Sequence, residues 1–268
     1  MNLKYIKGLL FLNIASVNVL LKGGIKNFSN FIIEIKSAYL QIKMTYEGIK
    51  MIRLEEISKR ERMTFLPIDL CKPGSTPWYD LLVLATLVKK YQPKVIFEIG
   101  TFEGFGSLVM CNNCSNEVLY SLDLPLSSDL AINISPFTLE EHSIDSRYKS
   151  GRFFDLIRPE VRISRLYGDS WNFDYSTFHN SVDFIFIDGA HTYQYVLKDA
   201  LNAIKCVYKE GVIVWHDVKN SQVLNPILKL ASYFTIYHVL NSNICFTVIN
   251  TKRNEVLQIL QKELRAYE

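Results

Sequence analysis

Five short phrases in this 268-residue chain carry the residue types that do chemistry, and each closes an apolar run. The first is Glu98-Ile-Gly-Thr-Phe-Glu-Gly104, after the run Lys94–Ile99 (KVIFEI). Its glycine pair lets the backbone turn sharply and approach a ligand closely. The phrase is not the dinucleotide fingerprint G-x-G-x-x-G, and an acid ends the run where a pyrophosphate would be repelled. Such a turn suits a ligand with an ammonium group and no phosphate. Asp123 closes the next run, where an acid can accept both hydroxyls of a ribose. Gly168-Asp169-Ser170 closes the third, and Asp169 there can meet an adenine amino group. The fourth and fifth phrases are Asp188-Gly-Ala-His191 and His216-Asp217, which bring two carboxylates and two imidazoles to neighbouring positions. A histidine with an ordinary pKa can take a proton from a hydroxyl near neutrality. A metal ion held there can instead lower the pKa of that hydroxyl.

These phrases need a frame that presents them on one rim. Strands are expected at Lys94–Ile99, Glu117–Leu122, Val161–Tyr167, Val182–Ile187 and Gly211–Trp215, with helices between them, notably Pro77–Tyr91 and Tyr193–Tyr208. This strand–helix alternation marks a parallel sheet. In open α/β sheets ligands bind at the carboxyl edge, where all five phrases lie. Two late strands, Tyr233–Val239 and Ile244–Ile249, are joined by Asn241-Ser242-Asn243 as a hairpin, so at least one runs antiparallel. A final amphipathic helix spans Asn254–Tyr267. Pro125–Pro159 lacks periodicity and reads as a cover beside the site. Trp171, Tyr175, Tyr193 and Tyr195 flank the loops, where packing is the commoner use of aromatics and stacking on a ring the alternative.

In combination, VIFEIGTFEGFGS, DFIFIDGAHTYQYVLKDA and GVIVWHDV resemble the class I S-adenosylmethionine-dependent methyltransferases, nearest to the branch of macrocin- and sugar-type O-methyltransferases. The resemblance covers roughly residues 63–250. It implies a Rossmann-like, seven-stranded, mostly parallel α/β sheet with helices on both faces and the last strand reversed. It also implies that Glu98, Gly100, Thr101 and Gly104 line the methionine part of the cofactor. Asp123 would hold the ribose, and Asp169 with Ser170 the adenine. Thr101-Phe102-Glu103 replaces the glycine-rich middle of the commoner motif. In related metal-dependent members the positions of Asp188, His216 and Asp217 ligate a divalent ion, and the first of the last pair is usually acidic or amide. His216 departs from that pattern. Magnesium prefers oxygen ligands, so the change favours manganese, iron, zinc or no metal. The reaction expected is methyl transfer to a hydroxyl of a small sugar or natural-product acceptor, with His191, Asp188 and His216 as the catalytic candidates. A nucleotide- or NAD-dependent oxidoreductase and a silent scaffold of the same fold are the alternatives.

Composition bounds the rest. A content of 49% hydrophobic and 13% aromatic residues excludes a disordered chain. Residues 1–60 hold ten Lys/Arg against four Glu, a net of +6 in a chain of +3, which leaves −3 over 61–268. An acidic body argues against nucleic-acid binding. The chain is therefore expected to divide into a basic helical extension, 1–60, and an enzymatic domain, 61–268. Gly8–Leu21 is apolar but shorter than the roughly 20 residues a bilayer span needs. From Phe28 to Met51 the stripe Ile32, Ile35, Tyr39, Ile42, Tyr46, Ile49 keeps helical spacing. Packing on its own domain, homo-oligomer formation and peripheral membrane contact are the expected uses of that stripe. Glu55–Arg62 reads as a solvated linker. Five scattered cysteines make no disulfide framework and suit a reducing cytoplasm. Cys111-Asn-Asn-Cys114 falls at an expected helix end and lacks a second ligand pair for zinc.

Overall fold

The computed structural model describes residues 26–58, 62–65, 76–115, 117–124, 150–249 and 253–267. Gly8–Leu21, Cys71 and most of the expected cover 125–159 lie outside the described residues. The elements run α1 (Lys26–Tyr46), β1 (Lys50–Ile52), α2 (Leu54–Ile57), α3 (Trp78–Tyr91), β2 (Val95–Ile99), α4 (Phe105–Asn113), β3 (Val118–Asp123) and β4 (Arg162–Tyr167). They continue with β5 (Val182–Ile187), α5 (Tyr193–Cys206), β6 (Val207–Trp215), α6 (Ser221–Leu230), β7 (Ile236–Val239), β8 (Cys245–Val248) and α7 (Arg253–Leu264).

One sheet takes in every strand of the described residues, in the order β1-β7-β8-β6-β5-β2-β3-β4. Strands β4, β3, β2, β5 and β6 run parallel, while β8 is antiparallel to both β6 and β7. This is the Rossmann-like sheet expected, with the reversed late strand in place. Among the described residues it has eight strands and not seven, because Lys50–Ile52 pairs in parallel with Tyr237–Val239. That edge strand comes from the stretch read as the basic extension.

Period-two alternation divides the core. Phe97, Ile99, Ile185, Ile187, Ile213 and Trp215 face one side, with the buried face of α5 (Val196, Leu197, Ala200, Ile204). Ile96, Phe184, Phe186, Val212 and Val214 face the other, packed with Leu84 and Leu87 of α3 and Leu108 of α4. Strands buried on both faces must be apolar throughout, which is why VIFEI and VDFIFI have few polar residues. Glu98 is therefore conspicuous.

Several boundaries differ from expectation. Helix α5 stops at Cys206, and β6 begins at once with Val207. A register shift against β5 absorbs Tyr208–Glu210, with Glu210 at a left-handed φ of 72°. Helix α1 ends at Tyr46, so Ile49 sits in the turn before β1 and is buried there at 2% exposure. The face of α1 that reaches the core is Met44, whereas Tyr39 and Tyr46 of the expected stripe are 45% and 61% exposed. Leu54–Ile57 forms a helical turn with Ile57 buried, so the start of the expected linker belongs to the core. Cys111 and Cys114 are buried at the end of α4, as the helix-end reading had it. Among the described residues no helix is long and apolar enough to cross a membrane.

Candidate functional site

The strand order reverses direction between β2 and β5, and a crevice for ligands opens at such a switch point. Backbone bonds hold the neighbouring strand ends level there. Gly100 N–H donates to Leu122 O (2.9 Å), Asp188 N–H to Ile99 O (2.8 Å), His216 N–H to Ile187 O (3.0 Å) and Gly168 N–H to Asp123 O (3.0 Å). The five phrases are thus brought to one edge.

Gly100 has φ +84°, and a Cβ built on it would stand 2.2 Å from the carbonyl oxygen of Asp188. Only glycine allows the turn after β2 to cross the end of β5 so closely. Gly104, at φ +91°, opens α4 with Phe154 against it; a Cβ would lie 2.9 Å from that ring. Between these glycines Thr101 is buried, and its hydroxyl is hydrogen-bonded to that of Ser121. Beneath the turn Glu98 is 1% exposed. It accepts from the hydroxyls of Ser107, on the first turns of α4, and Ser121, on β3 (3.0 Å). Burial pushes its carboxyl up to about 8; the two serines pull it down, while the nearby charges of Asp188 and Asp123 add to the rise. Of these three acids Asp188 is paired with His216 at the rim, and Glu98 has hydroxyl groups as its hydrogen-bond donors.

Asp123 closes β3, accepting from Ser150 Oγ (2.6 Å) and from Leu124 N–H (3.0 Å). Asp169 is turned inward at 2% exposure: the Tyr195 hydroxyl lies 2.9 and 2.8 Å from its two oxygens, and Trp171 N–H donates at 3.0 Å. Its carboxylate thereby braces the loop, in which Ser170 is half-buried. Tyr195, one of the flanking aromatics, is a buried strut, and its ring meets that of Trp171 at 5.4 Å. Asp199, on the inner face of α5, stands close by, and burial lifts its carboxyl to about 7 against the pull of the Ser170 hydroxyl.

The rim holds the densest set of charges. His191 Nε2 lies 2.8 Å from Asp217 Oδ2, both side chains being well exposed. His216 is 6% exposed. Its Nδ1 lies 2.9 Å from Asp188 Oδ1 and 3.3 Å from Asp217 Oδ2, and its Nε2 lies 3.1 Å from Asp80 Oδ2. Asp80, in the first turn of α3, also accepts from the backbone N–H (2.9 Å) and side-chain amide (3.1 Å) of Asn243. Burial alone would lower the pKa of His216, but Asp188, Asp217 and Asp80 outweigh it and push the imidazole up to about 12.

Two ligands expected from the sequence can be set against these groups. A cation fits the glycine turn, because the buried carboxyl of Glu98 beneath it is met by two serine hydroxyls, whereas Asp188 already has His216. A sulfonium bearing an ammonium group supplies that charge. A metal on Asp188, His216 and Asp217 does not fit. An imidazole whose two nitrogens both point at carboxylates is a donor at both and has no lone pair for an ion. The same geometry removes His216 as a base. Among the described residues the group whose ligand atoms converge, within 4.8 Å, is Asp188, His191 and Asp217. Its two carboxylates are the ones His216 already engages. Asp80 was missed in the sequence; a lone acid in the apolar helix WYDLLVLATLV was the available signal.

Among solved structures, the O-methyltransferase TomG from Streptomyces achromogenes, involved in tomaymycin synthesis and solved with SAM, is 16% identical. The match covers 69% of this chain and 83% of that one, with a TM-score of 0.45. An O-methyltransferase from Bacillus cereus solved with SAH is 17% identical over 81% of this chain and 99% of that one, with a TM-score of 0.43. No curated protein matches the sequence. Residues 97–218 match the family model of a methyltransferase domain, a span that runs from β2 to the residue after Asp217 and contains every site residue singled out in the sequence from Glu98 onward.

Proposed function

We propose that the chain transfers a methyl group from S-adenosylmethionine to a hydroxyl of a small acceptor. The observation that carries this reading is the buried carboxyl of Glu98 under a glycine turn, inside a stretch similar to a methyltransferase domain. The cofactor, when bound, supplies a methyl group already activated on a sulfonium, so the protein has to align the acceptor and take its proton. Gly100, Thr101 and Gly104 would cradle the methionine part over Glu98. Asp123 would accept from the ribose hydroxyls, and the Asp169–Ser170 loop, stiffened by Tyr195, would border the adenine. His191 is the base. With Nε2–H given to Asp217, its basic lone pair lies on Nδ1, and the acceptor proton moves there. Asp217 fixes the tautomer and steadies the imidazolium that forms.

Titration calorimetry with S-adenosylhomocysteine and with NAD tests the reading. Binding of the first and none of the second is expected. Tight NAD binding with no response to S-adenosylhomocysteine would make the chain a nicotinamide enzyme and end the proposal.

A further inference from the structure

We propose that His216 is the resident cation of this rim, clamped by Asp80, Asp188 and Asp217, and that it keeps a divalent ion out. The inference deepens the methyl-transfer reading, since it says which version of the rim this chain uses, and it rests on that reading only for its meaning. Its geometry stands alone. Nδ1 faces Asp188 and Asp217 at 2.9 and 3.3 Å, and Nε2 faces Asp80 at 3.1 Å. Carboxylates in such contacts accept only, so each nitrogen must bring a proton, and a ring with two N–H groups is an imidazolium. Its position is built from outside the rim. Asp80 comes from α3, is 2% exposed, and is itself held by both the backbone and side-chain N–H groups of Asn243 at the β7–β8 hairpin.

The consequence for an ion follows from charge and lone pairs. An ion on Asp188 and Asp217 would compete for oxygens that already face a fixed positive charge 2.9 and 3.3 Å away. It would also sit beside that charge, which repels it. The imidazolium thus does for Asp188 and Asp217 what an ion would do: it neutralises them and holds them in place. Methyl transfer to a hydroxyl then relies on His191 for the proton. Asp80 is a positioning residue, acting through His216.

Manganese alone, titrated into the purified chain and read by the loss of its free paramagnetic resonance signal, tests the inference without any turnover. The wild type is expected to leave Mn²⁺ free or to bind it no more weakly when Asp188 is changed to Asn, which places the ion elsewhere. His216→Asn keeps the bulk and removes the charge, so Mn²⁺ affinity at the rim should rise by roughly a hundredfold or more. Wild-type Mn²⁺ binding that is lost in Asp188→Asn would overturn the proposal, as would a folded His216→Asn that gains no affinity. Should that variant fail to fold, nitrogen-15 spectra of the wild-type ring decide. Two protonated nitrogens at mildly alkaline pH support the clamp, and one bare nitrogen refutes it. A chain that binds NAD and not S-adenosylhomocysteine yet shows this metal pattern loses the functional reading and keeps this one.

Discussion

Glu98→Gln exposes the electrostatic cost stored under the cofactor turn. In the folded chain burial carries this carboxyl from 4.5 to about 8. A raised folded pKa gives a contribution that is fully present below the unfolded value and is lost as pH climbs through the folded one. Between those limits the folded chain holds one proton more at this residue than the unfolded chain does. Stability therefore falls by about 1.4 kcal/mol per pH unit from this group, on the order of 5 kcal/mol over the window. Glutamine is nearly the same shape, keeps an oxygen for the Ser107 and Ser121 hydroxyls, and does not titrate. Urea unfolding of both proteins at about pH 5.5 and about pH 7.5 should show the variant gaining roughly 3 kcal/mol on the wild type between the two. The cofactor adds a second reading. A cationic ligand beside Glu98 favours its ionised form, so wild-type affinity for S-adenosylmethionine should strengthen as pH approaches 8, while the variant stays flat. Parallel stability profiles would refute the reasoning, because they would mean that Glu98 carries the same charge in both states.

Two further outcomes are expected. His191→Ala should slow methyl transfer on the order of 10²–10⁴ in single turnovers against a panel of hydroxylated sugars and phenols. Affinity for S-adenosylhomocysteine should stay unchanged; full activity would remove His191 as the base. Deleting residues 1–60 takes away β1 and the buried side chains of Met44, Ile49 and Ile57. At about 2–5 kcal/mol for each large apolar side chain lost, that rivals the whole stability of a domain. A thermal melt followed by circular dichroism should lose its cooperative transition, and an unchanged midpoint would show that the extension is dispensable to the fold.

The legible parts of the fold were those where burial leaves one solution. Strands β2 and β5 are apolar on both faces, so their limits could be read to within a residue. The hairpin at Asn241-Ser242-Asn243 was equally plain, because a short polar link between two apolar runs can only reverse the chain. Boundaries failed where tertiary contact overrode local pattern. The helix rhythm from Phe28 runs smoothly past Tyr46, yet β1 is drawn to the free edge of β7, and no periodicity encodes that pairing. Met44, off the expected stripe, became the buried contact for the same reason. At the site, the residue types and the order of the loops were visible from spacing, since chain order fixes which strand ends adjoin. Partnerships were not. Nothing local to His216 announces Asp80, which lies 136 residues away in sequence. Nor does the phrase Gly168-Asp169-Ser170 reveal that Tyr195 holds both oxygens of Asp169.

The two histidines of the rim have the same side chain and opposite uses, and burial sets them apart. His216, with a side chain 5% exposed, is surrounded by three carboxylates whose attraction outweighs its desolvation, so it stays charged. A group that stays charged cannot take a proton, but it can hold Asp188 and Asp217 still. His191, 44% exposed, is hydrogen-bonded to the Asp217 carboxylate and stands open to solvent. Burial works to raise the pKa of Asp217, but hydrogen bonds from His191 and His216 hold it well below the usual carboxylate range. Asp217 is thus the link: bound to both imidazoles, which hold its carboxyl below the usual range, it fixes the orientation of His191. Changing Asp217 to Asn would reverse that order. The amide would lose its charge, His191 would lose the partner that fixes its tautomer, and His216 would keep only Asp188 and Asp80. The pair separates a permanent charge from a transferable one, and the proposed methyl transfer to a hydroxyl would draw on the second.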